Sequence, residues 1–88
     1  MFKVGKLYAW EPVNRGAPKR YTFYSGDRNN IYGPDLITLR EGEYVCVLDC
    51  VIFSEKYGIF DIKLLSPNGM AGWTRIFEEV FVEFRLIS

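Results

Sequence analysis

Few side chains in this 88-residue chain could carry chemistry. It contains no histidine, so the group that most often serves as a base near neutral pH is missing. Cys46 and Cys50 lie in an apolar stretch with no base beside them in sequence, and read as small core or near-core residues. Four positions apart on one extended strand, they would share a face about 13 Å apart. A disulfide needs Cα atoms within roughly 7 Å. Two cysteines without a histidine do not make a zinc site either. Glu78 and Glu79 are neighbours in sequence, and nothing arranges them as an acid and a base. Residues 69–72, GMAG, lack the lysine and the following helix of a phosphate loop. The expectation is a chain with no catalytic residue, no metal and no cofactor.

Binding chemistry is better represented. Residues 14–30, NRGAPKRYTFYSGDRNN, set Arg15, Lys19, Arg20 and Arg28 beside Tyr21, Phe23 and Tyr24. Small barrels bind nucleic acid with such mixtures, stacking bases on rings and neutralising phosphates. Zero net charge argues against this, because counterion release needs several phosphate contacts. Tyr8, Trp10, Tyr32, Tyr57 and Trp73 are the amphipathic aromatics enriched at protein interfaces. Trp and Arg also recur as interface hot spots. Trp73, following a glycine, is expected against the barrel. Tyr8 and Trp10 are expected at the surface, joined by the basic loop.

These residues need elements to hold them. Residues 3–10 alternate well enough for a first strand, which Pro12 ends because it cannot donate to a ladder. Residues 13–34 are rich in turn formers around RYTFY, so a short hairpin is expected there, with Tyr21, Phe23 or Tyr24 facing the core. Residues 35–49, DLITLREGEYVCVLD, alternate, break at Glu41-Gly42 and alternate again. That pattern predicts two strands around a diverging turn, with Leu36 and Leu39 on one side and Val45, Val47 and Leu48 on the other. Strands follow at 44–54 and 59–65. Ser66-Pro67-Asn68-Gly69 is a strong hairpin signal, and residues 70–76 return as its partner strand. Residues 80–86 alternate as a last strand. A helix over 75–84 also fits the apolar spacing, and one helical turn at 77–79 is compatible with the strand.

Composition agrees with one all-β domain over residues 1–88. Aromatic content is 17% and hydrophobic content 49%, too apolar for disorder. Charge is unevenly placed along the chain. Residues 1–30 hold six basic and two acidic side chains; residues 31–88 hold five and nine. In a small barrel these halves interleave, so a mixed solvated surface is expected. Two unpaired thiols suggest a reducing compartment. No signal peptide and no stretch of membrane-spanning length are seen, and a cytoplasmic location is expected.

Three segments together resemble the Src-homology-3 family. KLYAWEP, residues 6–12, is similar to its A-L-Y-D-Y opening strand. DLITLREGEYVCVLD is similar to its E-L-S-F-x-x-G-D-x-x-x-V-L segment. SPNGMAGWTRIFEEVFVEF, residues 66–84, resembles its distal hairpin, Gly-Trp strand, single helical turn and final strand. The P-N-G-x-x-G-W portion looks like the bacterial branch of the fold. The resemblance implies a five- to six-stranded partly open barrel with a long first loop and a short helical turn near 76–79. It also implies peptide binding on an aromatic ridge, where Tyr8 and Trp10 match the opening positions. The ridge tryptophan of the third long strand is replaced here by Ile59-Phe60. The P-S-N-Y turn is replaced by residues 75–79, and the family's acidic loop by a basic one. The expected function is a non-catalytic protein-binding module. Its expected site is Tyr8, Trp10, Arg15, Lys19, Arg20, Tyr24 and Tyr32. A chain holding only this domain suits a small adaptor or inhibitor of a host protein, phage- or plasmid-encoded. The alternative is a nucleic-acid-binding barrel resembling the Tudor or KOW type.

Overall fold

The computed structural model describes residues 2–12, 20–30 and 33–88. These form β1 (Leu7–Trp10), β2 (Arg20–Tyr24), β3 (Leu36–Arg40), β4 (Tyr44–Ser54), β5 (Ile59–Leu65), β6 (Ala71–Phe77), a 3-10 turn (Glu78–Glu83) and β7 (Phe84–Leu86). The strands make one sheet in the order β3-β2-β6-β5-β4-β1-β7, curled into a half-barrel. Every pairing is antiparallel. The count is seven where five or six were expected, because RYTFY and LITLR pair along their whole length as a hairpin of their own.

Turn chemistry sets the registers. At the diverging turn Gly42 adopts φ 87°, a left-handed conformation that costs glycine little. The turn is closed by the Glu43 amide on the Arg40 carbonyl at 3.0 Å, and it is fastened to β1 by the Gly42 amide on the Trp10 carbonyl at 2.7 Å. The 66–69 hairpin forms as its residues predict. The Ser66 amide donates to the Met70 carbonyl at 2.8 Å and the Gly69 amide to the Ser66 carbonyl at 3.0 Å. From that turn β5 and β6 zip outward without a slip, from Leu65 opposite Ala71 to Ile59 opposite Phe77. β4 is less regular. Its pairing with β5 shifts at Leu48 and again at Phe53, and each β-bulge reverses the facing of the residues after it.

Inside the curl, Phe23, Ile37, Leu39, Val45, Val47, Ile62, Leu64 and Ile76 line a core closed at one end by rings. Phe2 packs edge-on against Tyr8 at 4.9 Å and Phe84 at 5.2 Å between centroids. Trp10 and Phe84 both meet Tyr21, at 6.0 and 5.8 Å. Gly72 lies where β2 passes over β6. A Cβ there would run into the backbone carbonyl of Tyr24, so only glycine lets the hairpin seat on the sheet.

Several expectations are corrected. The first strand begins at Leu7 and not at residue 3, because the chain turns at Val4-Gly5. Ile37 and Leu39 face inward and Leu36 is exposed; positions three apart cannot share a face at period two. Leu48 is the bulged residue and leaves the Val45–Val47 face. The same bulge separates the cysteines. Cys46 pairs with Leu65 on the outer face, and Cys50 pairs with Ile62 and packs on the core. Residues 80–83 belong to the 3-10 turn, and the last strand is only Phe84–Leu86. A strand would send Val80 and Phe81 to opposite faces; the tighter coil lets both pack on the core.

A basic and aromatic patch on the outer face

The outer face of β4, β5 and β6 carries an unusual group. β5 reads IFDIKLL, with Phe60, Ile62 and Leu64 facing the core. Asp61 therefore points the other way, toward solvent, yet it is only 1% exposed. Two arginines cover it. Arg75, its cross-strand partner on β6, donates from Nε to Oδ1 at 2.8 Å and from Nη2 to Oδ2 at 3.3 Å. Arg28, from the loop between β2 and β3, donates from Nε to Oδ2 at 3.1 Å. A carboxylate taken out of water is costly unless paired and hydrogen-bonded. Here both oxygens are occupied by guanidinium donors, which form shorter and stronger bonds than neutral ones.

Local structure aims each member. Arg28 is held by a loop whose neck is closed by the Ser25 amide on the Asp35 carbonyl at 2.8 Å. The Asp27 carboxylate caps the Asn29 and Asn30 amides at 3.0 and 2.7 Å, an Asx turn that fixes the chain around Arg28. Phe53, displaced from the ladder by the second bulge, stacks over Arg75, whose guanidinium carbon stands 3.5 Å from the ring centroid. Phe53 remains 49% exposed and Phe77, at the end of β6, 52%. Tyr57 is exposed at the β4–β5 turn under the Lys56 ammonium, 5.2 Å from its ring. In the next row of the same face Tyr24, Trp73 and Lys63 stand side by side across β2, β6 and β5.

The expected site residues divide three ways. Tyr8 and Trp10 are buried, at 5% and 2% exposure, and the expectation that they stand at the surface is corrected. Both belong to the inward face of β1. The Tyr8 hydroxyl accepts the Lys3 amide at 2.8 Å, and the Trp10 indole donates to Glu83 Oε1 at 3.1 Å. A half-barrel this small needs their volume to fill its core. Tyr24 and Arg20 are exposed on the outer side of β2, where Arg20 lies opposite Arg40 of β3. Arg15, Lys19 and Tyr32 lie outside the described residues. Trp73 also departs from expectation, half-buried on the outer face and not against the core cluster.

Asp61, Arg75 and Phe53 were missed by sequence reasoning. Counting outward in equal steps from the 66–69 turn sets Asp61 opposite Thr74; the turn takes in Met70 as well, and that shift of one residue brings Arg75 opposite Asp61. The Phe53 bulge carried no local signal either.

The patch brings together guanidinium donors and aromatic faces. Its carboxylate is already engaged, and its guanidiniums and rings are donors and platforms. Elsewhere, burial with the Asp49 carboxylate pushes the Cys50 thiol up, which keeps it protonated and a poor nucleophile. Among the described residues there is no cluster of side chains fit to hold a metal ion, and no helix long and apolar enough to cross a membrane. Comparison of the chain with family models, with curated proteins and with solved structures found no match in any of the three.

Proposed function

We propose that this protein is a non-catalytic binding module of Src-homology-3-like type, an adaptor or inhibitor that docks on another protein. The order of elements supports the fold. An opening strand, a long first loop, a diverging turn, a three-strand meander with a tight distal hairpin, a short helical turn and a last strand returning to the first follow one another as that family's segments do. The docking surface is the outer-face patch of Arg28, Phe53, Arg75 and Phe77, in place of the Tyr8 and Trp10 ridge. The observation that carries this reading is Asp61. A carboxylate buried on the solvent side of the sheet holds two guanidiniums in fixed positions beside exposed rings. Preorganised arginine and aromatic groups are what interface hot spots are made of.

The test is photo-crosslinking in the producing cell. A benzophenone side chain at Tyr57, next to the patch, is expected to capture one discrete protein. The same group at Val4, exposed near the N-terminus, is expected to capture none. Capture at both positions alike, or at neither, counts against the reading. A second reading, nucleic-acid binding, draws on one observation. Arg20 and Arg40 stand directly opposite on the β2–β3 hairpin, a like-charge pairing that repels until an anion lies across it. Oligonucleotide affinity that falls steeply with salt and disappears in Arg20→Ala would favour it.

A further inference from the structure

We infer that the partner meets this patch with an acidic segment, a peptide whose Glu or Asp carboxylates engage Arg28 and Arg75 while neighbouring apolar side chains cover Phe53 and Phe77. The inference rests on the protein-binding reading and adds the chemistry of the ligand. The argument is one of charge complementarity.

Asp61 offers one negative charge to two guanidiniums, and Lys63 adds a third cation one row away. Asp61 is enclosed, so its charge is spent beneath the surface while the guanidiniums reach it, at 43% and 34% exposure. Among the described residues Arg28 bonds Asp61 through Nε alone. The planar edge made by its two terminal nitrogens is left for a ligand, and that edge matches a carboxylate in paired geometry.

The surroundings choose between anions. Asp49 lies opposite Lys63, and Glu55 and Glu78 stand at the end of the patch, with the Glu78 side chain against Gly58 of the β4–β5 turn. These carboxylates would repel a ligand charged at every unit, such as a nucleic-acid strand. They leave room for separate carboxylates set among apolar residues. Phe53 and Phe77 supply the apolar complement, since both are exposed. A ligand alternating acidic and apolar side chains satisfies both parts of the surface, and an extended peptide alternates in this way at every second residue.

Fluorescence anisotropy with three labelled probes tests this. The first is a short peptide alternating Glu with Val and Phe, the second the same peptide with Gln for Glu, and the third an oligo-dT of similar length. The acidic peptide is expected to bind, the Gln peptide roughly tenfold or more weaker, in line with the loss of charge-assisted bonds. Arg28→Gln is expected to abolish most of that preference, and Phe53→Ser to weaken both peptides. Arg28→Gln leaves Asp61 paired with Arg75, so an unchanged melting temperature identifies the loss as one of binding. Equal affinity for the two peptides overturns the inference. So does no binding of either up to about 1 mM, or oligo-dT binding that Arg28→Gln removes. If crosslinking at Tyr57 captures a partner while the acidic peptide fails, the inference falls and the protein-binding module stands.

Discussion

Tyr8 and Trp10 on one side of the sheet, Phe53 and Phe77 on the other, are similar side chains treated in opposite ways. The first two fill the curl and are nearly sealed from water. The second two lie in the open, Phe53 stacked over the Arg75 guanidinium. Polar groups show the inverse. On the inner side, the Trp10 and Tyr21 polar atoms find single partners in Glu83 and Thr74, at 3.1 and 2.7 Å. On the outer side a full carboxylate is buried under two cations. The inner face is organised for cohesion and tolerates polar atoms only at its margin. The outer face spends a desolvated charge on positioning, which cohesion alone does not require.

The sharpest separation comes from truncating one ring on each side. Trp10→Ala is expected to cost about 3 to 5 kcal/mol, a large part of the whole stability of a small domain. Phe53→Ala is expected to stay within about 0.5 kcal/mol while removing crosslinking at Tyr57. Urea denaturation of both variants measures this, and similar midpoints would erase the contrast between the faces. Next in size is the buried carboxylate. Arg28→Gln with Arg75→Gln strands Asp61 without a cation, and about 3 to 5 kcal/mol of destabilisation is expected. The single Arg28→Gln change is expected to cost much less. An additive pair of small effects would mean that water already reaches Asp61.

The inner margin has its own signature in pH. Burial pushes the Tyr21 phenol up to about 12 from 10.0, with Glu83 adding to this and the Thr74 hydrogen bond opposing it. The fold therefore favours the neutral phenol. Its contribution is fully present below pH 10 and is lost as pH rises through about 12. Stability measured across that alkaline window is expected to fall more steeply in the native chain than in Tyr21→Phe. Parallel slopes would place the phenol in water. The smallest effect belongs to the exposed pair of Arg85 and Glu11, joined at 2.7 and 3.0 Å. The hydrogen bond from Arg85 holds the Glu11 carboxyl below its usual value, yet both groups are solvated. Glu11→Gln is expected to leave the denaturation midpoint unmoved at 0.15 M salt, where such pairs are screened. A clear loss would show that the outer pair around Asp61 is not special.

Much of the scaffold was readable before any coordinates. The 66–69 turn, the 44–54 and 59–65 strands and the diverging turn at Glu41-Gly42 were each announced by local residues, and each stands where expected. Where reading failed, the cause was a feature with no local code. The bulges at Leu48 and Phe53 changed which way later residues faced. The 3-10 turn took over residues 80–83 because Val80 and Phe81 both had core to fill. Of the expected site, Tyr24 and Arg20 are exposed, while Tyr8 and Trp10 moved to the interior.

By itself the sequence determined that this chain is built of strands and where its tight turns fall. Those properties follow from backbone preferences and period-two alternation acting over a few neighbouring residues. Only the tertiary structure decided which aromatic rings would be core and which surface, and that Asp61 would be enclosed by arginines 33 and 14 residues away. Burial depends on how the sheet curls and on which volume remains to be filled. No short window of residues contains that information, because the curl arises from strands brought together across the whole chain.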